Sequence, residues 1–444
     1  MRTIIKNALV INEGNKAKKN ILILDQLISK ISDFAIEERP SDLIIDAEGL
    51  LLLPGIIDDQ VHFREPGLTH KADIYTESCA AAAGGVCSFI EMPNTNPSTT
   101  SQKLLDEKLQ IAAKTSVVNY SFMLGANNEN IDEIKNLDKN KVAGVKMFLG
   151  SSTGNLLVNN NDTIRDILTH SPVIVAAHCE DDKIIEKNLA EFKEKFGEDI
   201  PMRFHPEIRS SDACYKSSSN VVEIARNTKG RLHIFHLSTE KELALLSNLP
   251  LSQKRITAEV CVHHLWFNDT HYDELGTKIK WNPSIKKETD RLALIQALKD
   301  GKIDVVATDH APHNIDEKNN VYTKAPSGGP LVQHSLQLMF ELASQNYFDA
   351  IDIVKWMCHN PATLFNIEKR GFIRENYFAD IVLIDPSLAH TVEKENIFYK
   401  CAWSPLEGVK LKTSIVKTIV NGQIVFDNGQ IVNKNAAMQI NFNN

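Results

Sequence analysis

The chain has 444 residues, of which 43% are hydrophobic and 24% are charged, with a formal net charge of −8 and a pI near 6.0. This composition predicts a soluble globular protein with enough length for one large domain and a smaller one. The acidic balance and the lack of lysine- or arginine-rich runs argue against general nucleic-acid binding. A small anionic substrate is still compatible with them, because local positive groups decide that.

Both ends of the chain are rich in β-like patterns. Residues 1–50 contain the apolar runs TIIKNALVI, NILILDQLISKI and DLIIDAEGLLLLP, separated by turn-forming residues such as Gly14. The C-terminal part has the same pattern of short apolar runs separated by turn-forming residues, and its Asn421-Gly422 and Asn428-Gly429 pairs predict tight turns. We therefore divide the chain into three segments: residues 1–54, 55–370 and 371–444.

The middle segment alternates short apolar runs with helical stretches. The strand-like runs are GIIDDQVH, GVCSFIEMPN, VVNYSFML, AGVKMFLG, VIVAAHCE, LHIFHLST, TAEVCVHHL and DVVATDHAPH, and helical candidates such as DIYTESCAAAAGG, TSQKLLDEKLQIAAK and ETDRLALIQALKDG lie between them. Eight β–α repeats predict a (β/α)₈ barrel. A doubly wound open sheet is the alternative, but the expected Gly-x-Gly-x-x-Gly after a first strand is missing from the sequence.

Nearly every predicted strand ends in a side chain that can bind metal or transfer protons. These residues are His62, Asn94, Lys146, His178, His236, His263 or His264, and Asp309. Barrel active sites lie at the carboxyl ends of the strands, so these side chains are expected to converge on one mouth.

Three histidines, a lysine and an aspartate suggest metal and acid-base chemistry. His62, His178 and His236 are candidate metal ligands, although any one of them alone is equally well a hydrogen-bonded core histidine. Lys146 lies in an apolar run, so it is either paired with an acid or carbamylated to bridge two metal ions. Asp309 opens DHAPH after the eighth run, where a carboxylate near a metal can shuttle a proton.

Other polar residues could contact a substrate. The Arg64 guanidinium suits a substrate carboxylate and the Asn94 amide adds a hydrogen bond, although either is also compatible with a structural role. The SGGP segment, 327–330, is either a substrate-covering loop or a plain turn. The polar stretch 205–219 has no assigned role.

Together these motifs resemble those of the amidohydrolase superfamily. PGIIDDQVHFREPG, EMPNTNP, GVKMFLGSSTG, AAHCED, HIFHLST, KWNPSIK and ATDHAPH follow one another in the order expected there, and within the superfamily they are most similar to dihydroorotases. The resemblance covers nearly the whole chain and implies a small β-sandwich domain built from both termini. It also implies the reversible cyclisation of N-carbamoyl-L-aspartate to dihydroorotate in pyrimidine synthesis, with one or two zinc ions.

The resemblance implies a role for each matching residue. His62 corresponds to a ligand of the more buried ion, and His178 and His236 to ligands of the other. Lys146 corresponds to the carbamylated bridge, and Asp309 to both a ligand and the proton shuttle. The implied contacts with the substrate are Arg64, Asn94 and His313 at its carboxylate and Asn282 at its ring.

Gln60 departs from the family pattern, which has histidine at this position. An amide oxygen is a weaker zinc ligand than an imidazole, so Gln60 coordinates weakly or leaves the buried site half-occupied. The chain could also be a non-catalytic partner of aspartate transcarbamoylase, but the other site residues favour an active enzyme. Should a neighbouring acid replace the histidine, strand alternation favours Asp58 over Asp59.

Two further expectations concern related activities and surroundings. Allantoinases and hydantoinases share the barrel and are the alternative activity. Their substrates lack the carboxylate that Arg64 would bind. A homodimer is a possible assembly. The seven cysteines are scattered and never spaced Cys-x-x-Cys, the N-terminus is too polar for a signal peptide, and no apolar run approaches about 18 residues. We therefore expect a cytoplasmic protein without a membrane span.

Overall fold

The structure is a computed structural model that describes residues 1–150 and 155–444. The last four residues of the motif GVKMFLGSSTG, 151–154, lie outside the described residues. In the part described, no helix is both long and apolar enough to cross a membrane. All seven cysteines are buried and have free thiols.

The N-terminal segment forms the strands that its apolar runs predict. They are β1 (Arg2–Asn12), β2 (Asn15–Leu24), β3 (Leu27–Ser32), β4 (Leu43–Asp46) and β5 (Leu51–Pro54). β1 pairs with β2 in antiparallel and with β4 and β5 in parallel orientation. Only Gly55 separates β5 from the next strand, so this sheet is joined directly to the barrel.

Eight parallel strands within the described ranges make up the barrel. They are β6 (Ile56–Val61), β7 (Val86–Glu91), β8 (Asn119–Gly125), β9 (Gly144–Phe148), β10 (Val175–His178), β11 (Leu232–Ile234), β12 (Ile256–Cys261) and β13 (Val305–Ala307). The strands lie side by side in chain order, and a parallel bridge between Val61 and His310 joins the two ends of the sheet. They are buried along almost their whole length, as expected for parallel strands covered on both faces.

Helices fill the connections between the barrel strands. The α-helices described are α1 (Ile74–Ala83), α2 (Gln102–Thr115), α3 (Ile131–Lys135), α4 (Asn161–His170), α5 (Asp182–Phe196), α6 (His205–Ile208), α7 (Ser211–Thr228), α8 (Val262–Trp266), α9 (Tyr272–Leu275), α10 (Glu288–Lys299), α11 (Ile315–Lys318), α12 (Ser335–Ser344), α13 (Ala350–Val354) and α14 (Asn360–Leu364). α1 begins after Asp73, whose Oδ1 accepts from Thr76 N at 2.8 Å, and ends before Gly84. A carboxylate at this position satisfies an otherwise unpaired N–H of the first turn.

The C-terminal strands complete the sheet begun by the N-terminus. They are β14 (Ile381–Asp385), β15 (His390–Thr391), β16 (Lys410–Leu411), β17 (Ser414–Val420), β18 (Gln423–Asp427) and β19 (Gln430–Ile431). The order is β19-β18-β17-β14-β5-β1-β2-β3, with β4 beside β1, while β15 and β16 form a separate ladder. Ile5, Leu52 and Ile381 belong to a hydrophobic cluster that this sheet encloses, so both termini share one core.

The predicted architecture is confirmed. The eight barrel runs and the helices at DIYTESC, TSQKLL and ETDRLAL lie where the sequence places them, and the terminal strands form a separate sheet. The doubly wound alternative is wrong, because the strands follow chain order around a ring. The domain boundaries at 54/55 and 370/371 stay a prediction.

Candidate active site

The carboxyl ends of the barrel strands surround a cavity of about 280 Å³. Its lining includes ten of the residues that the sequence analysis singled out as ligands, proton carriers or substrate contacts: Gln60, His62, Arg64, Asn94, Lys146, His178, His236, Asn282, Asp309 and His313. Further lining comes from Phe148, Ala311 and residues 326–328. The candidates therefore meet at one mouth, as barrel geometry predicts.

His62 and Asp309 face each other where the ends of the barrel sheet meet. His62 Nε2 lies 3.1 Å from Asp309 Oδ1, and His62 Nδ1 lies 2.7 Å from Asn94 Oδ1. Because the Asn94 oxygen only accepts, Nδ1 carries the proton and Nε2 presents its lone pair to Asp309. Burial lowers the pKa of His62, which favours the neutral ring. A lone pair and a carboxylate facing each other at this distance suit a shared metal ion.

His178 and His236 form a second pair of the same kind. His178 Nδ1 lies 3.0 Å from His236 Nε2, and His178 Nε2 faces Glu180 Oε2 at 3.0 Å. His178 Nε2 makes no hydrogen bond of ordinary geometry within the described residues, although the Glu180 carboxylate lies close to it, and Nδ1 faces the other ring. Burial, and then the neighbouring His178, lower the pKa of His236 well below its usual value. Two imidazole nitrogens facing each other in this way also suit a metal ion.

Glu180 and Arg209 support this pair, and the sequence analysis missed both. Arg209 Nε donates to Glu180 Oε1 at 3.0 Å, and Glu180 is fully buried. Although burial alone would raise it, the Arg209 guanidinium and His178 hold the pKa of Glu180 well below its usual range. The carboxylate is therefore charged and fixes the orientation of His178. In the sequence, the only indications of this pair were that a glutamate follows His178 by two residues and that an arginine lies in the stretch 205–219, to which no role was assigned.

Lys146 lies in β9 and is 1% exposed. Among the described residues its Nζ has no hydrogen-bond partner, and it lies 3.9 Å from the centre of the Phe235 ring. Burial lowers the pKa of Lys146 to about 8, against the raising effect of Glu259 and Asp309. A buried amine without a partner is costly, so Lys146 is poised to be modified or to contact a bound group.

One wall of the cavity carries positive charge. Arg64 Nε donates to Pro312 O at 3.1 Å, and its Nη2 lies 3.1 Å from His313 Nε2. Lys71, which the sequence analysis missed, places its Nζ 3.1 Å from His313 Nδ1. Burial, with Arg64 and Lys71 next, lowers the pKa of His313 well below its usual value. The ring is thus neutral at neutral pH, and the charge of this wall resides on Arg64. Lys71 is outside the cavity lining and is paired with Glu317 Oε1 at 3.1 Å.

The SGGP segment forms part of the cavity wall. Lys318 Nζ donates to Gly328 O at 2.7 Å and to Pro326 O at 2.9 Å, while Ser327 Oγ donates to Asn282 Oδ1 at 3.0 Å. Gly328 has a φ of +123°, and a Cβ there would lie 2.5 Å from the Ala311 oxygen. The buried Lys318 amine, which donates to backbone oxygens, and a required glycine therefore hold this segment against the cavity.

Three cavity residues adopt strained backbone conformations. Arg64, His236 and Asp309 have φ values of 68°, 40° and 47°, in the left-handed region that non-glycine residues rarely adopt. Each such residue costs on the order of 1–3 kcal/mol and persists where its surroundings fix it, most often at functional sites. The strain supports a functional role for these three side chains.

Two expectations about strand ends need correction. His263 and His264 belong to α8 and do not line the cavity; His263 stacks on Trp281 with ring centres 4.4 Å apart. The preference for Asp58 as a replacement ligand was also wrong, because β6 is irregular between Asp58 and Val61, which breaks the alternation. The Asp58 carboxylate accepts from Thr308 Oγ1 at 2.6 Å and lies outside the cavity lining.

Asp59 points instead to His233 and Glu259. The three side chains form a group whose ligand atoms lie within 4.8 Å of one another, a candidate metal site that the sequence analysis did not identify. The choice of His236 over His233 as a cavity residue agrees with the structure, since His233 lies in this deeper group and not in the cavity lining.

Comparison with known proteins agrees with this geometry. The model of the amidohydrolase family matches residues 51–425. The dihydroorotase of Methanosarcina acetivorans is 33% identical over 91% of this chain and 88% of its own length. The dihydroorotase of Streptococcus pneumoniae is 34% identical over 95% of this chain and 99% of its own.

Solved structures share the fold. L-hydantoinase (dihydropyrimidinase) from Arthrobacter aurescens superimposes with a TM-score of 0.93 at 22% identity, covering 99% of both chains. Dihydropyrimidinase from Brevibacillus agri gives a TM-score of 0.89 at 22% identity, covering 98% of both. With the family model spanning most of the sequence and two curated relatives above 30% identity, this chain belongs to the amidohydrolase family.

Proposed function

We propose that the chain is a dihydroorotase, which interconverts N-carbamoyl-L-aspartate and L-dihydroorotate in pyrimidine synthesis. The observation that carries this proposal is that one cavity joins two pairs of metal-type ligands to a wall bearing Arg64. A cyclic amide that also carries a carboxylate needs metal ligands at the bond to be broken and a positive group at its carboxylate. The curated relatives at 33% and 34% identity, both dihydroorotases, support the same activity.

Zinc fits the residues present. His62 and Asp309 would hold one ion and His178 and His236 the other, with Gln60 as a weak neutral ligand of the first. Lys146 Nζ has no hydrogen-bond partner among the described residues, which supports its carbamylation: addition of carbon dioxide with loss of a proton would turn a buried amine into a carboxylate able to hold both ions. When bound, a divalent ion polarises a carbonyl and makes water a stronger nucleophile at neutral pH. The number of ions is part of the proposal.

The side chains of the protein would bind the substrate and move the proton. Asp309 would accept a proton from the attacking water and deliver it to the departing ring nitrogen, and the reverse reaction uses the same group. Arg64, Asn94 and His313 would hold the carboxylate, and Asn282 would contact the ring. Holding both ends of N-carbamoyl-L-aspartate in one cavity favours cyclisation, because the reacting groups are already close.

The activity is tested by following ring opening of L-dihydroorotate by zinc-reconstituted protein, beside hydantoin, allantoin and 5,6-dihydrouracil. We expect turnover of dihydroorotate well above that of the other three. A preference for hydantoin or allantoin would replace the proposal by the alternative cyclic amidohydrolase activity. Folded, zinc-loaded protein that opens none of these rings would favour the non-catalytic partner of aspartate transcarbamoylase.

The variant Arg64→Met tests recognition of the carboxylate. We expect kcat/KM for dihydroorotate to fall by about 10²-fold, since a charged hydrogen bond contributes on the order of 1.5–3 kcal/mol. The value for 5,6-dihydrouracil, the same ring without the carboxylate, should stay unchanged. Arg203→Met, at an exposed arginine, is the control. An equal loss for both substrates would show that Arg64 does not read the carboxylate.

The variant Gln60→His tests the departure from the family pattern. An imidazole binds zinc more strongly than an amide oxygen, so we expect zinc loss to a chelator to slow by at least about tenfold, equivalent to about 1.4 kcal/mol. Gln60→Asn serves as the control, because it keeps the amide. Equal rates for the wild type and Gln60→His would mean that position 60 does not contact an ion.

Location and assembly are separate proposals. Seven buried, unpaired thiols support a reducing compartment, and we place the protein in the cytoplasm. A homodimer and an association with aspartate transcarbamoylase are expected from the family resemblance. Light scattering of the purified chain, alone and mixed with the transcarbamoylase, tests both.

A further inference from the structure

Asp59, His233 and Glu259 meet in the barrel interior, outside the cavity lining. They come from β6, β11 and β12, and each is 0% exposed. Two carboxylates and an imidazole are therefore gathered in a place without contact with solvent. The roles proposed for the cavity residues do not use them.

The atoms of this cluster lack partners. Both Asp59 oxygens, Glu259 Oε2 and His233 Nε2 have no hydrogen-bond partner within residues 1–150 and 155–444. Each buried, unsatisfied polar group costs about 1–3 kcal/mol, and more if it is charged. Burial raises the pKa of both carboxyls well above the usual value. Protonation of the carboxylates alone does not remove the cost of these unpaired atoms, because every new O–H group needs an acceptor within reach.

The distances suit an ion better than direct hydrogen bonds. His233 Nε2 lies 3.6 Å from Asp59 Oδ2 and 3.5 Å from Glu259 Oε2. Both exceed the length of an ordinary N–H···O bond, about 2.7–3.2 Å. Zinc bonds of about 2.0–2.2 Å give a tetrahedron with edges of about 3.4 Å, close to both separations.

The hydrogen bonding of the other His233 ring nitrogen is also compatible with a metal ligand. Its Nδ1 lies 2.8 Å from Thr257 Oγ1, and this hydroxyl donates to Leu232 O at 3.4 Å. When the hydroxyl uses its proton for this contact, it accepts from Nδ1–H, and this tautomer leaves the lone pair on Nε2, the atom that faces the carboxylates. A histidine oriented through its second nitrogen is the usual arrangement at protein metal sites.

We propose that Asp59, His233 and Glu259 bind a divalent metal ion, with zinc the best match to one nitrogen and two carboxylate ligands. The site is separate from the cavity ions and is structural. Glu259 uses its other oxygen, Oε1, to accept from His236 N at 3.2 Å. By fixing Glu259, the ion would hold the backbone of a cavity histidine in its strained conformation.

Crystals of the zinc-reconstituted wild-type protein test the site directly. Anomalous difference maps above and below the zinc absorption edge should show a peak between the three side chains. Peaks in the cavity report separately on the proposed function, so the two proposals fail independently. A water molecule, or no density, between Asp59, His233 and Glu259 would overturn the site.

Variants provide a second measurement in solution. Asp59→Asn and Glu259→Gln should each lose one zinc per chain relative to the wild type, as measured by mass spectrometry of the metal content. Asp58→Asn is the matched control, since it alters a buried carboxylate of the same strand that is already hydrogen-bonded to Thr308. An unchanged zinc count in folded Asp59→Asn would refute the proposal. If the variants do not fold, the wild-type anomalous maps still decide it.

Discussion

Replacing Asp309 with Asn is expected to lower kcat for dihydroorotate hydrolysis by about 10²–10⁴-fold, the range typical of a lost acid-base group. The amide keeps the size of the side chain and can still lie beside His62 Nε2, now 3.1 Å from Asp309 Oδ1. It cannot take up a proton from water and release it to the ring nitrogen. Steady-state kinetics in both reaction directions provide the measurement, because one group serves both.

Two controls separate this effect from a loss of structure or metal. Asp304→Asn makes the same change just before β13, at the opposite end of the strand, where Asp304 Oδ1 accepts from Lys254 Nζ at 2.7 Å. Its kcat should remain near the wild-type value. The zinc content of Asp309→Asn is measured in parallel. A variant that retains its zinc and loses less than about tenfold in kcat would exclude Asp309 as the proton carrier.

Replacing Lys146 with Ala is expected to lower kcat/KM on the order of 10³-fold or more, about 4 kcal/mol of transition-state stabilisation. The variant removes both the proposed bridging carbamate and the amine from which it forms. Wild-type Nζ is 3.9 Å from the Phe235 ring centre and has no hydrogen-bond partner in the described chain, so no structural bond is lost with it. Metal content and kinetics are measured on the same preparation.

Chemical rescue distinguishes the carbamate from a structural lysine. Acetate or propionate should restore part of the activity of Lys146→Ala, because a small carboxylate can occupy the space left by the side chain. Lys146→Met fills that space and should not be rescued. Mass spectrometry of the native wild type should also show one added carbon dioxide per chain. Failure of rescue together with an unmodified wild-type mass would rule out carbamylation.

The alternation of apolar runs and polar strand ends was enough to predict the barrel and most of the cavity. Because parallel barrel strands end at the same mouth, residues as far apart in sequence as His62 and Asp309 could be placed together without a structure. The same rule failed for His263 and His264, which lie in a short helix after β12 and turn away from the cavity. The rule fixes where strands end but not how the chain continues.

The supporting contacts could not be read from the sequence. Arg209 reaches Glu180 from a helical connection 29 residues further along the chain. Lys71 lies in a loop and Lys318 ends the short helix α11, and neither position follows from a periodic pattern. Such pairs depend on side-chain directions and loop paths, which neither residue type nor spacing encodes.

The sequence by itself determined the β–α alternation of the barrel and most of the strand-end residues that meet in the cavity, because apolar runs and the polar residues that end them are local properties. That both termini build one sheet, and that Asn282 and His313 reach the cavity, was expected only from the family resemblance. Only the tertiary structure decided which way Asp58 and Asp59 face. An irregularity in β6 breaks the alternation there, so Asp58 turns to Thr308 and Asp59 meets His233 and Glu259 across the barrel. One extra residue in the pairing of a strand reverses which face the following side chains point to. Whether such an irregularity forms depends on packing against the neighbouring strands.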